Sequence, residues 1–208
     1  MKTLLQINTS IFSNNGQSSQ LAEEFVAAWR ARNPAMAVRV RDLGSDPVPH
    51  LTADGFKSFS ADPAVRTAEQ KAAADLSDAL IEELKQADVV VIGLPLYNFG
   101  VPSALKAYFD HIGRAGVTFR YTANGPVGML DNKKVYVFAT RGGFYEGTAL
   151  DTQSAYVRDF LAFIGITDVE FIYVEGLGIG ANEKLAAIDK AKQTIARLVD
   201  AVPASVAA

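Results

Sequence analysis

Three short stretches carry residue types that could do chemistry. The first is "NTSIFSNNGQSSQL", residues 8 to 21, which holds Thr9, Ser10, Ser13, Ser18 and Ser19 around an Asn15-Gly16 turn. Hydroxyls and backbone N–H groups at the start of a helix can bind an anion without Lys or Arg. The helix end adds about 0.3–1 kcal/mol, and each charge-assisted bond about 1.5–3 kcal/mol. The second stretch, "PLYNFG" from Pro95, sets Leu96, Tyr97, Asn98 and Phe99 at the mouth of an apolar run. Flat apolar rings beside an amide and open backbone suit a planar heterocycle with a hydrogen-bonding edge. The third, "TRGGFYEG", places Thr140 and Arg141 before Gly142 and Gly143, where backbone can approach a ligand closely. Each has a plainer alternative: a polar loop with a serine cap, aromatics closing the end of a core, and an ordinary Gly-Gly turn.

Other chemistries are excluded by what is missing. The 208 residues include no cysteine, so disulfides, thiol nucleophiles, thiolate zinc and cysteine-held iron–sulfur clusters are ruled out. No G-x-x-x-x-G-K-[ST] or G-x-S-x-G is present, so neither a P-loop nor a hydrolase elbow is available. Carboxylates at the ends of strands one and three, as phospho-acceptor chemistry requires, are replaced by Thr9, Ser10 and Pro95. The two histidines, His50 and His111, stand alone, and no metal site is expected. "GLGIGA", Gly176 to Ala181, has the letters of a dinucleotide fingerprint. It opens the last helix, however, with no further strand to complete a βαβ unit, and reads as a flexible turn. The net charge of −3 with no basic stripe argues against a nucleic-acid partner. Gln6, Asn8 and Thr9 interrupt any leader-like apolar start, and no run approaches the roughly 18–20 residues of a membrane span. A cytoplasmic location is the default expectation, with no membrane partner.

The elements that must position these stretches follow from periodicity. Strands are expected at Thr3–Asn8, Ala37–Asp42, Asp88–Leu94, Lys134–Ala139 and Asp168–Val174. The third and fourth are continuously apolar, as in a parallel sheet covered on both faces. Helices are expected from about Ser18 to Arg32, Ala68 to Gln86, Pro102 onward, Gln153 to Ile164 and Glu183 to Ala201. Thr67 and Gln70 have capping-box spacing, Pro102 suits a first turn, Gly165 a left-handed end, and Asn182 an N-cap. Leu185, Ile188, Ile195 and Leu198 are expected to face inward. Strands alternating with helices read as one flavodoxin-like α/β domain over 1–208, a doubly wound five-stranded parallel sheet of order 2-1-3-4-5. Two segments, Gly44–Arg66 and Gly113–Lys133, are longer than simple connections.

In such a sheet, ligands bind beyond the carboxyl ends of the strands where the order reverses. The loops after strands one, three and four meet there. Hydroxyls for a phosphate, an aromatic turn for a ring and a glycine turn for its polar edge together describe a mononucleotide with a large planar base, and FMN fits best.

The stretch "PLYNFGVPSALKAYFDHIGRAGVTFRYTANGPVG" with "TRGG" resembles the FMN-dependent NADH-azoreductase / NADH:quinone oxidoreductase family of the flavodoxin-like fold. The resemblance runs over nearly the whole chain. It implies that Ser10, Gly16, Gln17 and Ser18 hold the FMN phosphate, that Pro95–Phe99 form one ring-binding turn and that Thr140–Gly143 form the second. It further implies a homodimer with two sites at the interface. Phe119 and Tyr121 from the Gly113–Lys133 insert, Phe144, Tyr145 and the partner's Phe163 would wall the substrate pocket. Leu96 stands where Met is expected, Thr140 where Ser is common, and Tyr145 where some relatives carry His.

The activity so implied is two-electron ping-pong transfer from NADH or NADPH to quinones, and reductive cleavage of aromatic azo compounds. The cofactor carries the chemistry, so no catalytic side chain is expected. The rival reading is a flavodoxin-type electron carrier without a substrate pocket. The Gly113–Lys133 insert and the weak acidity argue against it.

Overall fold

A computed structural model describes residues 2–201. The five-stranded sheet consists of β1 (Thr3–Asn8), β2 (Ala37–Asp42), β3 (Val89–Pro95), β6 (Lys134–Thr140) and β7 (Asp168–Val174), in the order β2-β1-β3-β6-β7. All its neighbours are parallel. This is the doubly wound flavodoxin-like arrangement expected from the sequence. β3 is buried along its whole length, in keeping with its unbroken apolar run.

Alternate residues of the strands face two separate cores. On one face Leu4, Val89, Val91, Tyr136 and Phe138 meet α1 (Gln17–Arg32) and α6 (Ala181–Ala201), through Leu21, Phe25, Trp29, Ile195 and Leu198. On the other, Leu5, Ile7, Val90, Ile92 and Val137 meet α3 (Ala68–Gln86), α4 (Ser103–Ile112) and α5 (Thr152–Phe163). The capping box of α3 is present in both directions, Thr67 with Gln70.

Both long segments contain structure of their own. A short helix, α2 (Ala53–Ser58), occupies the first, and an antiparallel hairpin of β4 (Phe119–Thr122) and β5 (Gly125–Gly128) the second. No helix among the described residues is long and apolar enough to cross a membrane.

Three local expectations are corrected. Pro102 is the N-cap of α4 rather than its first helical residue. α6 begins at Ala181, so Asn182 lies inside it and is no cap. Leu185 is exposed rather than inward. The 21 residues of α6 make it roughly 31 Å long, against roughly 23 Å for the seven residues of β7.

His111 ties α4 to the first long segment. It is buried, its Nε2–H donates to the Pro49 carbonyl at 3.1 Å, and Nδ1 has no partner. Burial holds its pKa below the ordinary value, against weaker raising effects of the Pro49 bond and Asp110. The unfolded chain therefore takes up a proton first. Stability should be full above about pH 6.5 and should fall as the pH drops toward the folded-state value. Urea midpoints between pH 7.5 and 5.5 should show this loss, with a smaller one in His111→Gln; identical profiles would remove His111 as its source.

Candidate functional site

The site is built where α1 lands on β3. A Cβ on Gly93 would lie 3.0 Å from the Ser18 carbonyl carbon and oxygen, and 3.2 Å from the Ser19 nitrogen. The absent side chain lets the first turn of α1 rest directly on the strand. Thr9 Oγ1 donates to the Gly93 carbonyl at 2.7 Å and fixes the start of the first loop to the same point. The loop then folds tightly: Ser13 N–H donates to the Ser10 carbonyl at 2.9 Å, and Gly16 N–H to the Ser13 carbonyl at 3.1 Å. A Cβ on Gly16 would fall 2.2 Å from Ser10 Oγ, so Gly16 is needed to leave room for that hydroxyl.

The plainer alternative, a serine cap on α1, does not hold. The N-cap of α1 is Gly16, with no side-chain cap. Ser18 and Ser19 are both buried, and their hydroxyls have no partner. Among the described residues, the N–H groups of Gln17, Ser18 and Ser19 donate to no protein acceptor. Open donors at a helix N-terminus, with orphaned buried hydroxyls beside them, fit a bound anion. No Lys or Arg occurs between Asn8 and Leu21.

The second loop is a strained hairpin turn. Gly100 N–H donates to the Tyr97 carbonyl at 2.9 Å, and Tyr97 N–H to the Gly100 carbonyl at 3.3 Å. The two residues between, Asn98 and Phe99, have φ of +49° and +62°. That is the signature of a type I′ turn, whose favoured pair is Asn-Gly. A phenylalanine at the second position costs about 1–2 kcal/mol of backbone strain. Of the four non-glycine residues at positive φ among the described residues, Ser13, Asn98 and Phe99 lie in these two loops.

The surroundings hold the turn in place. Leu96 N–H donates to the Thr140 carbonyl at 3.0 Å. Buried Gln153 donates through Nε2 to the carbonyls of Pro95 (2.9 Å) and Gly100 (3.1 Å), and the Thr152 hydroxyl donates to the Phe99 carbonyl. The sequence reading missed both residues, because α5 shows only as an amphipathic stripe until the tertiary fold brings its first turn to the strand ends. The first two loops touch through Ser10 Oγ and the Tyr97 hydroxyl, 3.2 Å apart.

The register Pro95↔Thr140 sets the third loop beside the second. Its backbone is paired with the turn after β7: Leu177 N–H donates to the Arg141 carbonyl, Gly178 to Gly142 and Gly176 to Gly143, at 2.9–3.1 Å. "GLGIGA" is therefore a backbone brace for the glycine turn. Nothing lies within 4 Å of where a Gly142 Cβ would stand, so this position faces open space. The N–H groups of Gly142 and Gly143 have no protein acceptor among the described residues. Tyr145 spans the turns after β3 and β6. Its ring meets that of Phe99 edge-to-face at 5.5 Å, and its hydroxyl lies 2.7 Å from where a Gly143 Cβ would stand. Phe144 is exposed, packed on Gly176.

Two expectations change. Arg141 does not offer its side chain to a ligand: the guanidinium is fully buried, paired with Asp151 and Glu175. Burial alone would raise the Asp151 pKa, but bonds from Arg141 and Ser154 outweigh it and hold the carboxyl below its ordinary value. Second, the hairpin does not wall this site within one chain. Met129 and Leu130 N–H groups donate to the Ile164 carbonyl, just past the end of α5. Phe119 is buried against Phe163 of the same chain at 4.1 Å, while Tyr121 is exposed. This cluster sits at the amino edge of the sheet, about one strand length, roughly 20 Å, from the Tyr97 turn.

Known proteins resemble this chain over nearly its whole length. A family model described as a flavodoxin-like fold matches residues 1–199. An FMN-dependent NADH:quinone oxidoreductase of Cellvibrio japonicus is 53% identical, over 91% of this chain and 96% of that protein. FMN-dependent NADH:quinone oxidoreductase 6 of Burkholderia lata is 52% identical, over 94% and 99%. Among solved structures, an azoreductase from Bacillus anthracis superposes with a TM-score of 0.87 at 27% identity, covering 97% of this chain and all of that one.

The strain at Phe99 has a measurable consequence. Phe99→Gly should leave the protein as stable as before or more stable by up to about 1 kcal/mol, although it deletes an aromatic ring. A loss above about 1 kcal/mol in urea unfolding would show that ring packing outweighs backbone strain there.

Proposed function

The chain belongs to the FMN-dependent NADH:quinone oxidoreductase family of the flavodoxin-like fold, and we propose that it binds FMN at this edge and reduces quinones with NADH or NADPH. The observation that carries the reading is the uncapped start of α1, with orphaned Ser18 and Ser19 hydroxyls and free N–H groups of residues 17–19. A single terminal phosphate supplies acceptors for all of them. An unsatisfied buried hydroxyl costs about 1–3 kcal/mol, which a bound phosphate would recover.

FMN, when bound here, would supply two-electron redox chemistry between a nicotinamide and an acceptor. The residues of this chain do the rest. Ser10, Gly16, Gln17 and Ser18 hold the phosphate. Pro95–Phe99 bound the ring on one side, with Asn98 offering its amide. Thr140 closes the sheet edge, and the open N–H groups of Gly142 and Gly143 would be available to the ring's polar atoms. Donors aimed at a rim that gains electron density stabilise it without rearrangement. No side chain is required to act as acid, base or nucleophile. Donor and acceptor use one open face in turn, which gives ping-pong kinetics. Aromatic azo compounds are planar acceptors of the same kind, and the likeness to an azoreductase supports their reductive cleavage.

The second wall comes from another copy of the chain. Phe119, Tyr121 and Phe163 form an aromatic cluster whose own subunit cannot bring it to the Tyr97 turn. Tyr121, Val127 and Met129 are exposed on the hairpin, an apolar surface suited to burial against a second subunit. In the homodimer, the partner's Phe163 and the hairpin beside it complete the pocket that Phe144 and Tyr145 begin.

Three outcomes test the reading. The protein should bind FMN far better than riboflavin, which lacks the phosphate, and better than FAD; equal affinities in fluorescence titration would sink the phosphate assignment. Ser18→Ala should weaken FMN by about 1–2 kcal/mol with little change in unfolding temperature. Sedimentation of the holoprotein should give a dimer, and Phe163→Ala should shift acceptor KM with FMN affinity retained. A fully active monomer would remove the partner wall while leaving the cofactor site intact.

A further inference from the structure

The turn after β6 is held by a buried charge network that the proposed reaction does not use. Arg141 has no exposed side-chain surface and sits between Asp151 at 2.6 Å and Glu175 at 3.2 Å. It also donates to Ser154 Oγ at 2.8 Å, to which the Tyr173 hydroxyl donates at 3.1 Å; the Tyr173 ring lies 4.9 Å from the guanidinium carbon. Glu175 does more than balance charge. Its Oε1 accepts the N–H groups of Tyr145 (2.8 Å) and Glu146 (2.9 Å) as well as the guanidinium. One carboxylate oxygen thus joins the residue before the Gly142–Gly143 turn to the two that follow Phe144. Loosening it frees Tyr145, whose ring bridges to Phe99. The network holds one cation and two carboxylates, a net charge of −1 in a largely water-free place where electrostatic effects are weakly screened.

We propose that Glu175 is a positioning residue for the second ring-binding turn, and that the network's excess negative charge lowers the midpoint potential of the cofactor held there. The proposal rests on the assignment of that turn to the FMN site. A negative charge beneath the turn opposes electron uptake by whatever the turn holds, while the bonds from Tyr145 and Glu146 keep the open N–H groups of Gly142 and Gly143 in place.

The test uses the full chain loaded with FMN, in wild type and in Glu175→Gln, Glu175→Asp and Glu175→Ala. Three readouts separate the roles: unfolding temperature, FMN Kd by fluorescence and midpoint potential against reference dyes. Glu175→Gln keeps an oxygen for the two N–H groups and loses the charge. It should bind FMN within about threefold of wild type and show a more positive potential. Glu175→Asp keeps the charge and should keep the wild-type potential. Glu175→Ala, measured well below its unfolding temperature, should bind FMN at least about tenfold more weakly. An unchanged potential in Glu175→Gln overturns the electrostatic role, and wild-type affinity in Glu175→Ala overturns the positioning role. Failure of the wild-type protein itself to bind FMN overturns the site assignment, and this proposal with it.

Discussion

A side chain is missing at Gly93, and the site depends on that absence. With no Cβ in the middle of a buried strand, the first turn of α1 lies directly against β3. The same contact places free helix N–H groups at the carboxyl edge of the sheet, within reach of the aromatic turn that ends β3. A residue of any size at position 93 would push the helix away and open the junction between the loops after β1 and β3. Gly16 has a matching role in the first loop, where it leaves Ser10 the space from which its hydroxyl meets Tyr97. Close approach of backbone to backbone decides what the side chains can then do.

Around that junction the fold stabilises conformations that the local sequence disfavours. Asn98 and Phe99 stay left-handed because Gln153, Thr152 and Thr140 hold the carbonyl and N–H groups on either side of them. The glycine turn after β6 is braced by three backbone bonds from the turn after β7, and by Arg141 with its carboxylates. Strained, open groups surrounded by rigid supports are typical of sites whose geometry is set before a ligand arrives. The helix N–H groups left open at the start of α1 suit an anionic ligand better than a cation.

The second half of the molecule has a different logic. The hairpin and the end of α5 form an aromatic cluster at the opposite edge of the sheet, one strand length from the junction. On the proposed reading the pocket needs both halves, and a two-fold assembly would let each copy lend its distal edge to the other's proximal one.

Much was legible in the sequence because periodicity is a local record of burial. The apolar runs at 89–94 and 134–139 and the Thr67–Gln70 capping box marked elements, and strands alternating with helices marked a parallel sheet. The three loops that meet there, with hydroxyls, aromatics and glycines, were identifiable by residue type alone. The sequence could not place what depends on distance between remote segments. Arg141 reads as a polar ligand at a strand end, yet the fold buries it between Asp151 and Glu175, because only the packed chain brings two carboxylates to it. Gln153 and the "GLGIGA" turn carry no local signal of their bracing roles, since their partners lie 53–58 and about 35 positions earlier in the chain. Leu185 follows its helical stripe and still faces outward, since the stripe records helical spacing and not which turns of the helix are covered. Side-chain chemistry was encoded residue by residue; which atoms remain free to use it was decided by the tertiary structure.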